Sequence, residues 1–175
     1  QHAGFSERQA ERFLTFPEST LDKTLRWLEL PHHYLIVADS MHYPSQLRAI
    51  EDYPGVLFVV GNPECLHSFQ VAVVGNRQHS WYGERWGRFF CEKLAAYGVT
   101  ITSGLARGID GVAHKAAVNM KGTSIAVLGN GLETIHPRRH VRLAEHLVEA
   151  GGALVSEFPL DTLPLPRNFP QRNRI

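Results

Sequence analysis

Residues 101–114 read ITSGLARGIDGVAH, and this stretch decides the class of fold. It begins as a strand, crosses a turn that holds Gly104, Arg107 and Gly108, and re-enters a helix-like pattern. Glycines let a ligand approach the main chain, and the N-terminus of a helix attracts negative charge. The stretch therefore predicts an α/β fold with an anion close to this turn.

Apolar segments with helical patterns between them extend this interpretation along the chain. They are VAVVG at 71–75, VTIT at 99–102, SIAVLG at 124–129 and ALVS at 153–156. Such alternation predicts an extended Rossmann-like parallel sheet with helices on both faces. Ligands of these sheets bind beyond the carboxyl ends of the strands, where turns lie at 75–77, 103–108, 129–131 and 156–161.

Capping signals suggest where the helices of this unit begin. Ser80 is expected to cap a helix that ends near Gly98, and Asp110 is expected to cap the next one. Pro137 is expected at the first position of a third helix. The apolar positions at helical spacing are Trp86, Phe90, Leu94 and Tyr97 in the first helix, and Val141, Ala144, Leu147 and Val148 in the third.

The residues before 71 predict a small accessory unit. Two short helices are expected at 5–14 and 19–30, the second capped by Ser19 and ended by Pro31, followed by strands at 34–39 and 56–61. We divide the chain into a small, partial helical N-terminal module, 1–33, and a Rossmann-like domain, 34–175. The Pro-broken tail at 160–175 carries no predicted element.

Charge is distributed unevenly along the 175 residues. The net charge is +1, but residues 1–64 hold nine acidic and five basic residues, whereas 65–175 hold eight and thirteen. This asymmetry favours an anionic partner for the second part, although a solvated basic surface is the simpler alternative. No apolar run has membrane-spanning length and no signal peptide leads the chain, which favours a cytoplasmic protein without membrane contact.

Basic side chains accompany the glycine turns. Arg77 and Arg107 follow strands, and guanidinium groups suit the geometry of phosphate oxygens. Arg138 and Arg139 fall in the expected first turn of the Pro137 helix, where cations oppose the helix dipole by about 0.3–1 kcal/mol each. A bound phosphate chain would reverse that cost. The pattern therefore favours anion binding over the alternative that the glycines serve only to form tight turns.

Other chemistries fit less well. The turn at 75–80 is not GxGxxG, no GxxxxGK[ST] occurs, and TSGLA is not GxSxG, so we expect no nicotinamide cofactor, no P-loop ATPase and no catalytic serine. His136 and His140 are four residues apart but lack a third ligand, so no metal is expected. His114 is interpreted as a packed histidine that braces the turn.

Four longer motifs together carry a resemblance. These are VAVVGNR at 71–77, SGLARGID with His114 at 103–114, VLGNGLETIHP at 127–137, and SEFP leading to NFPQRNRI at 156–175. From about Tyr43 the chain resembles the DNA-processing protein A (DprA/Smf) family, and YPSQLRAIEDYPGVLFVVG at 43–61 resembles its lead-in. The sequence departs from the family's Tyr-Pro and following Asn at His136 and His140. The family's domain also continues past NRI, so we expect a C-terminally incomplete domain.

The resemblance implies a function without a catalytic step or cofactor. It implies binding of single-stranded DNA, dimerisation, and delivery of incoming strands to the RecA recombinase during natural transformation. The candidate DNA- and phosphate-binding residues are Gly75, Asn76, Arg77, Ser103, Gly104, Arg107, Gly108, Asn130, Gly131, Arg138, Arg139, Asn168, Arg172 and Asn173.

Two alternatives remain open at this point. One is a Rossmann-like nucleoside monophosphate hydrolase of the lysine-decarboxylase-like group. That group carries PGGxGTxxE, whereas this chain has only GNGLET at 129–134. The other alternative is a protein-interaction module whose glycines are purely structural.

Overall fold

A six-stranded sheet forms the centre of the computed structural model, which describes residues 17–175 together with Glu11 and Thr15. The predicted helix at 5–14 lies, Glu11 excepted, outside the described residues. The strands are β1 (His33–Val37), β2 (Val56–Gly61), β3 (Gln70–Ala72), β4 (Thr100–Ser103), β5 (Ser124–Val127) and β6 (Ala153–Ser156). The helices are α1 (Glu18–Leu28), α2 (Trp81–Ala96), α3 (Ile109–Asn119), α4 (Val141–Glu149) and α5 (Asn168–Arg172).

The strand order is β1-β2-β6-β5-β4-β3, and the four strands from β3 to β6 are parallel. This confirms the predicted Rossmann-like parallel core. The two earlier strands do not stand apart in an accessory unit, because β2 pairs antiparallel with β6 and β1 pairs antiparallel with β2. Burial explains their place: Leu57 and Val59 of β2 belong to the same apolar cluster as Val155 of β6.

The helix capping predictions had mixed outcomes. Ser80 caps α2 by accepting a hydrogen bond from the Gly83 N–H (3.1 Å), as expected. Ser19 and Asp110 do not cap their helices, because each lies inside the first turn and the capping positions belong to Pro17 and Gly108. Asp110 instead accepts from the Ala106 N–H at 3.2 Å.

The third predicted helix begins later than its proline. Pro137 is extended (ψ 149°), residues Arg138–His140 form a 3-10 turn, and α4 starts only at Val141. The arginines therefore lie in that turn, ahead of the α-helix, so the argument from the dipole of a Pro137 helix was wrong. Val141 is exposed rather than inward, and Leu143 takes the buried position instead.

Small residues, rather than the aromatic ones, form the buried face of α2. Gly83 and Gly87 lie against Ile109 of α3, and Cys91 and Ala95 complete the contact. The predicted inward face was wrong for the aromatic residues, because close approach of two helices leaves no room for large rings. Trp86, Phe90 and Tyr97 are exposed, together with Trp81, Tyr82 and Phe89 of the same helix.

The tail contains an element that the sequence pattern does not predict. Residues Asn168–Arg172 form the short helix α5, although Pro170 lies within it. Proline is tolerated there because it occupies the first turn, where its missing N–H leaves no bond unmade. This helix places Phe169 and Arg172 against the carboxyl ends of the central strands.

None of the helices in the described residues is long and apolar enough to cross a membrane.

Candidate nucleic-acid interface

The first two glycine turns touch each other at Gly108. This residue has φ +84°, and a Cβ built on it would overlap the Asn76 carbonyl oxygen and the Arg77 Cα. The Ile109 N–H donates to that same Asn76 carbonyl at 3.2 Å. Only glycine permits both the left-handed backbone and the close approach. The turns at 75–77 and 103–108 are therefore packed together, as the topology of parallel strands predicts.

The tail helix α5 closes the other side of these turns. Phe169 lies against Gly129, and the Arg172 guanidinium lies against Gly104, where a Cβ would overlap either side chain. The Arg77 guanidinium carbon stands 5.2 Å from the centre of the Phe169 ring. The His136 ring is 6.1 Å away from the same ring. One aromatic ring thus joins residues from three separate turns.

Two adjacent cavities lie along these turns. We call the surface around them the rim; it consists of the turns at 75–77, 103–108 and 129–131, the segment 136–139 and the tail helix α5. The larger, about 400 Å³, is lined by Gly75, Ser103 and Asn173 among others. The smaller, about 50 Å³, reaches Arg107 and Asn130. Both are bounded by a common wall, which consists of Arg77, Gly104, Ala106 and Phe169.

The rim is basic because its exposed arginines form no ion pairs among the described residues. In the part of the chain that the structure describes, no carboxylate pairs with Arg77, Arg107, Arg138 or Arg139. Arg174 is the contrasting case. Its guanidinium donates two hydrogen bonds of 2.6 Å to the Glu157 carboxylate, and these bonds raise the pKa of Arg174. Four exposed guanidinium groups therefore remain available to an external anion.

Several predicted ligand groups instead have internal partners. The Ser103 hydroxyl donates to the Val73 carbonyl at 2.6 Å, and the Asn130 amide donates to Gly131 at 2.9 Å. The Gly131 N–H donates to Thr162, and the Asn168 amide donates to Leu163. These donors hold the turns and the tail in place, so they are not free for a ligand. That these residues bind DNA stays a prediction.

Arg172 is a wall of the site rather than an exposed cation. It is buried, and its Nη1 donates to the carbonyls of Gly104 (2.9 Å) and Val127. Its Nε donates to Asn173 Oδ1 at 3.0 Å. Burial lowers the pKa of this guanidinium. Arg172 links the tail to the ends of β4 and β5, while Asn173 remains exposed at the larger cavity.

Two buried histidines hold the backbone of Leu105 from opposite sides. Nε2 of His114 accepts from the Leu105 N–H at 3.3 Å, and Nδ1 of His140 donates to the Leu105 carbonyl at 2.8 Å. Ser124 donates to Ile101, so its oxygen accepts from Nδ1 of His114 at 2.8 Å. This arrangement fits the prediction that His114 braces the turn. Burial lowers the pKa of His114 to about 3 and also lowers that of His140.

Sequence reasoning missed the roles of His140 and Phe169. His140 is buried and turned toward Leu105, whereas His136 is exposed beside Phe169, so the two do not form a joint metal site. Among the described residues no group of three His, Cys, Asp or Glu could hold a metal. The available signal for Phe169 was that it is the single aromatic residue of the proline-rich tail at 160–175.

The fold and the rim together define an extended Rossmann-like domain with a basic edge at its strand ends. The chain belongs to the DNA recombination-mediator protein A family, whose model matches residues 34–175. It is 69% identical over all 175 residues to Protein Smf of Escherichia coli strain K12, covering 47% of that protein. It is 38% identical over 141 residues to the DNA processing protein DprA of Bacillus subtilis, covering 80% of this chain and 47% of that protein.

Solved structures of the same family share this fold. DNA processing protein A from Streptococcus pneumoniae matches with a TM-score of 0.80 at 33% identity, over 94% of this chain and 56% of that one. The Helicobacter pylori protein, described for its single-stranded DNA binding mode, matches with a TM-score of 0.70 at 25% identity, over 81% of this chain and 64% of that one. The chain thus spans about half the length of the curated relatives it matches.

Proposed function

We propose that the rim binds the backbone of single-stranded DNA and that the protein acts as a recombination mediator. The observation that carries the proposal is the set of four exposed arginines of the rim that form no ion pair among the described residues, of which Arg77 and Arg107 line the two adjacent cavities at the strand ends. Separated guanidinium groups suit a chain of phosphates better than one small anion, because each phosphate meets its own cation.

An aromatic ring at the centre of the rim favours a single strand over a duplex. Phe169 borders both cavities and is only partly buried, so a base freed from pairing can stack on its face. Arg77 already lies over that ring, as guanidinium groups do in single-strand binding sites. Stacking and phosphate contacts together give binding with little sequence preference.

The geometry supports binding rather than hydrolysis. The Ser103 hydroxyl donates to a main-chain carbonyl, and the His114 imidazole is occupied by Leu105 and Ser124. A serine and a histidine so engaged do not form a nucleophile and base pair. The segment GNGLET at 129–134 also lacks the PGGxGTxxE pattern of the nucleoside monophosphate hydrolases, so we propose a protein without a catalytic step.

The partners follow from the same proposal. Relatives of this chain are named DNA processing proteins, and one solved relative is described as binding single-stranded DNA. We propose that the protein works in the cytoplasm as a homodimer and passes incoming strands to RecA during natural transformation. The division into a helical module, 1–33, and a DNA-binding domain, 34–175, belongs to this proposal.

The direct test measures fluorescence anisotropy of a labelled oligothymidylate with the purified protein across a series of NaCl concentrations. Affinity should fall steeply with salt, and Arg77→Ala should reduce the slope of log K against log salt by about 0.7, the value for one phosphate on a single strand. Arg26→Ala is the matched control, because Arg26 is exposed in the last turn of α1 and lines neither cavity. A salt-independent affinity, or release of free base from nucleoside monophosphates, would contradict the proposal.

A second variant tests the stacking component. Phe169→Ala should weaken oligothymidylate binding about fivefold or more, because a base stacked on an aromatic ring contributes about 1–3 kcal/mol. Its salt slope should stay unchanged, since no phosphate contact is lost. Phe69→Ala, which removes a ring that is 73% exposed before β3, serves as the control. Equal affinities for the two variants would exclude Phe169 from the site.

A further inference from the structure

We propose that His140 is a positioning residue, which couples the Arg107 turn to the Arg138–Arg139 turn and so sets the affinity for single-stranded DNA. This inference rests on the function proposed above. Its basis is the contact between Nδ1 of His140 and the Leu105 carbonyl. That contact joins two basic segments more than thirty residues apart in sequence.

Three backbone polar groups just before Arg107 have side-chain partners. The Leu105 N–H is held by His114, the Leu105 carbonyl by His140, and the Ala106 N–H by Asp110. Leu105 itself has φ +56°, a conformation that costs a non-glycine residue about 1–3 kcal/mol. These contacts maintain the strained turn, and Arg107 is the next exposed side chain along the chain.

His140 is connected to the second basic segment by its own backbone. It ends the 3-10 turn that carries Arg138 and Arg139, and both arginines are exposed while His140 is buried. Its ring also packs against Gly111 of α3, where a Cβ would approach Cε1 to 2.9 Å. A shift of the ring therefore moves both arginine-bearing turns relative to each other.

Two substitutions of similar size separate positioning from packing. In His140→Asn the side-chain amide nitrogen can occupy the place of Nδ1 and donate to Leu105, whereas in His140→Gln it lies one bond farther along. We expect the full-length Asn variant to bind oligothymidylate within about twofold of wild type. The Gln variant should bind about tenfold more weakly, with a salt slope smaller by about 0.7 or more, because a phosphate contact is lost.

A double-mutant cycle with Arg107→Ala tests the coupling itself. If His140 acts through the turn, His140→Gln should weaken binding by less than about twofold when Arg107 is already absent, since coupled residues are not additive. Thermal unfolding of every variant identifies losses of folded protein. The proposal is overturned if Asn and Gln variants bind alike, or if the factor for His140→Gln is the same with and without Arg107. If wild type shows no salt-dependent binding, the proposed function fails and this inference fails with it.

Discussion

At the scale of single residues, backbone conformation rather than side-chain chemistry brings the rim together. Gly108 permits contact between two turns, and Leu105 adopts a left-handed conformation that two histidines stabilise. The sequence indicates the first feature, because a glycine in a strand-to-helix turn suggests a close approach of the backbone to another group. It does not indicate the second, because nothing about leucine predicts φ +56°.

Gly108 can be compared directly with Gly98, which has a similar positive φ but open space around its missing Cβ. Gly98→Ala should cost about 1–2 kcal/mol through the left-handed backbone alone. Gly108→Ala should cost about 1–3 kcal/mol more, because its Cβ overlaps the Asn76 carbonyl. Urea unfolding of both variants measures the difference, and equal losses would show that the two turns are not in contact.

The buried His114 makes a prediction for the pH dependence of stability. Its pKa falls from an ordinary 6.5 to about 3 on folding, so the unfolded chain binds a proton that the folded protein rejects. The contribution of His114 to the free energy of unfolding is therefore at its highest above pH 6.5. It falls by about 1.4 kcal/mol per pH unit as the pH is lowered from 6.5 toward 3.

NMR of the imidazole signals isolates this group from the carboxylates. The His114 signals should remain unchanged between pH 7 and pH 4, with Nδ1 carrying the proton. A titration midpoint of about 6.5, the ordinary value for histidine, would contradict the buried hydrogen-bonded arrangement.

At the scale of elements, the sequence predicts where strands and helices lie better than which faces they bury. Short strand-like segments correctly locate β4, β5 and β6, and the apolar runs within β5 and β6 are those expected of strands covered on both faces. The prediction of the inner face of α2 was wrong because the contact of α2 with α3 is made through glycines, which carry no hydrophobic signal. The short α5 went unpredicted because it is held in place by tertiary contacts of Arg172 with Gly104 and Val127.

Glycines at the helix contacts should differ in how they tolerate alanine. A Cβ at Gly87 would meet Ile109 and Val112 at 3.7 Å, an ordinary contact, whereas one at Gly111 would press on the His140 ring. Gly87→Ala should therefore stabilise the protein by about 0.5–1 kcal/mol through helix propensity. Gly111→Ala should destabilise it, and thermal unfolding compares the two. A lower melting temperature for Gly87→Ala would contradict the packing described for α2 and α3.

At the scale of the whole molecule, the fold pairs some basic residues with acidic ones and leaves others, within the described ranges, without an acidic partner. The acidic residues of the first part include Asp52, which lies beside Arg174 in the tail, whereas the arginines of the rim have no such partners among the described residues. The sequence predicts the net excess of bases after residue 64 but not which of them are neutralised. Only the fold distinguishes Arg174, which is paired, from Arg77, which is not.

Hydrogen–deuterium exchange with and without oligothymidylate tests the location of the binding surface most directly. We predict protection concentrated in the turns at 75–80, 103–108 and 136–140 and in the tail at 167–173, with the exposed aromatic side of α2 unchanged. Protection of residues 81–97 without protection of these turns would contradict the claim that the strand-end rim binds the DNA.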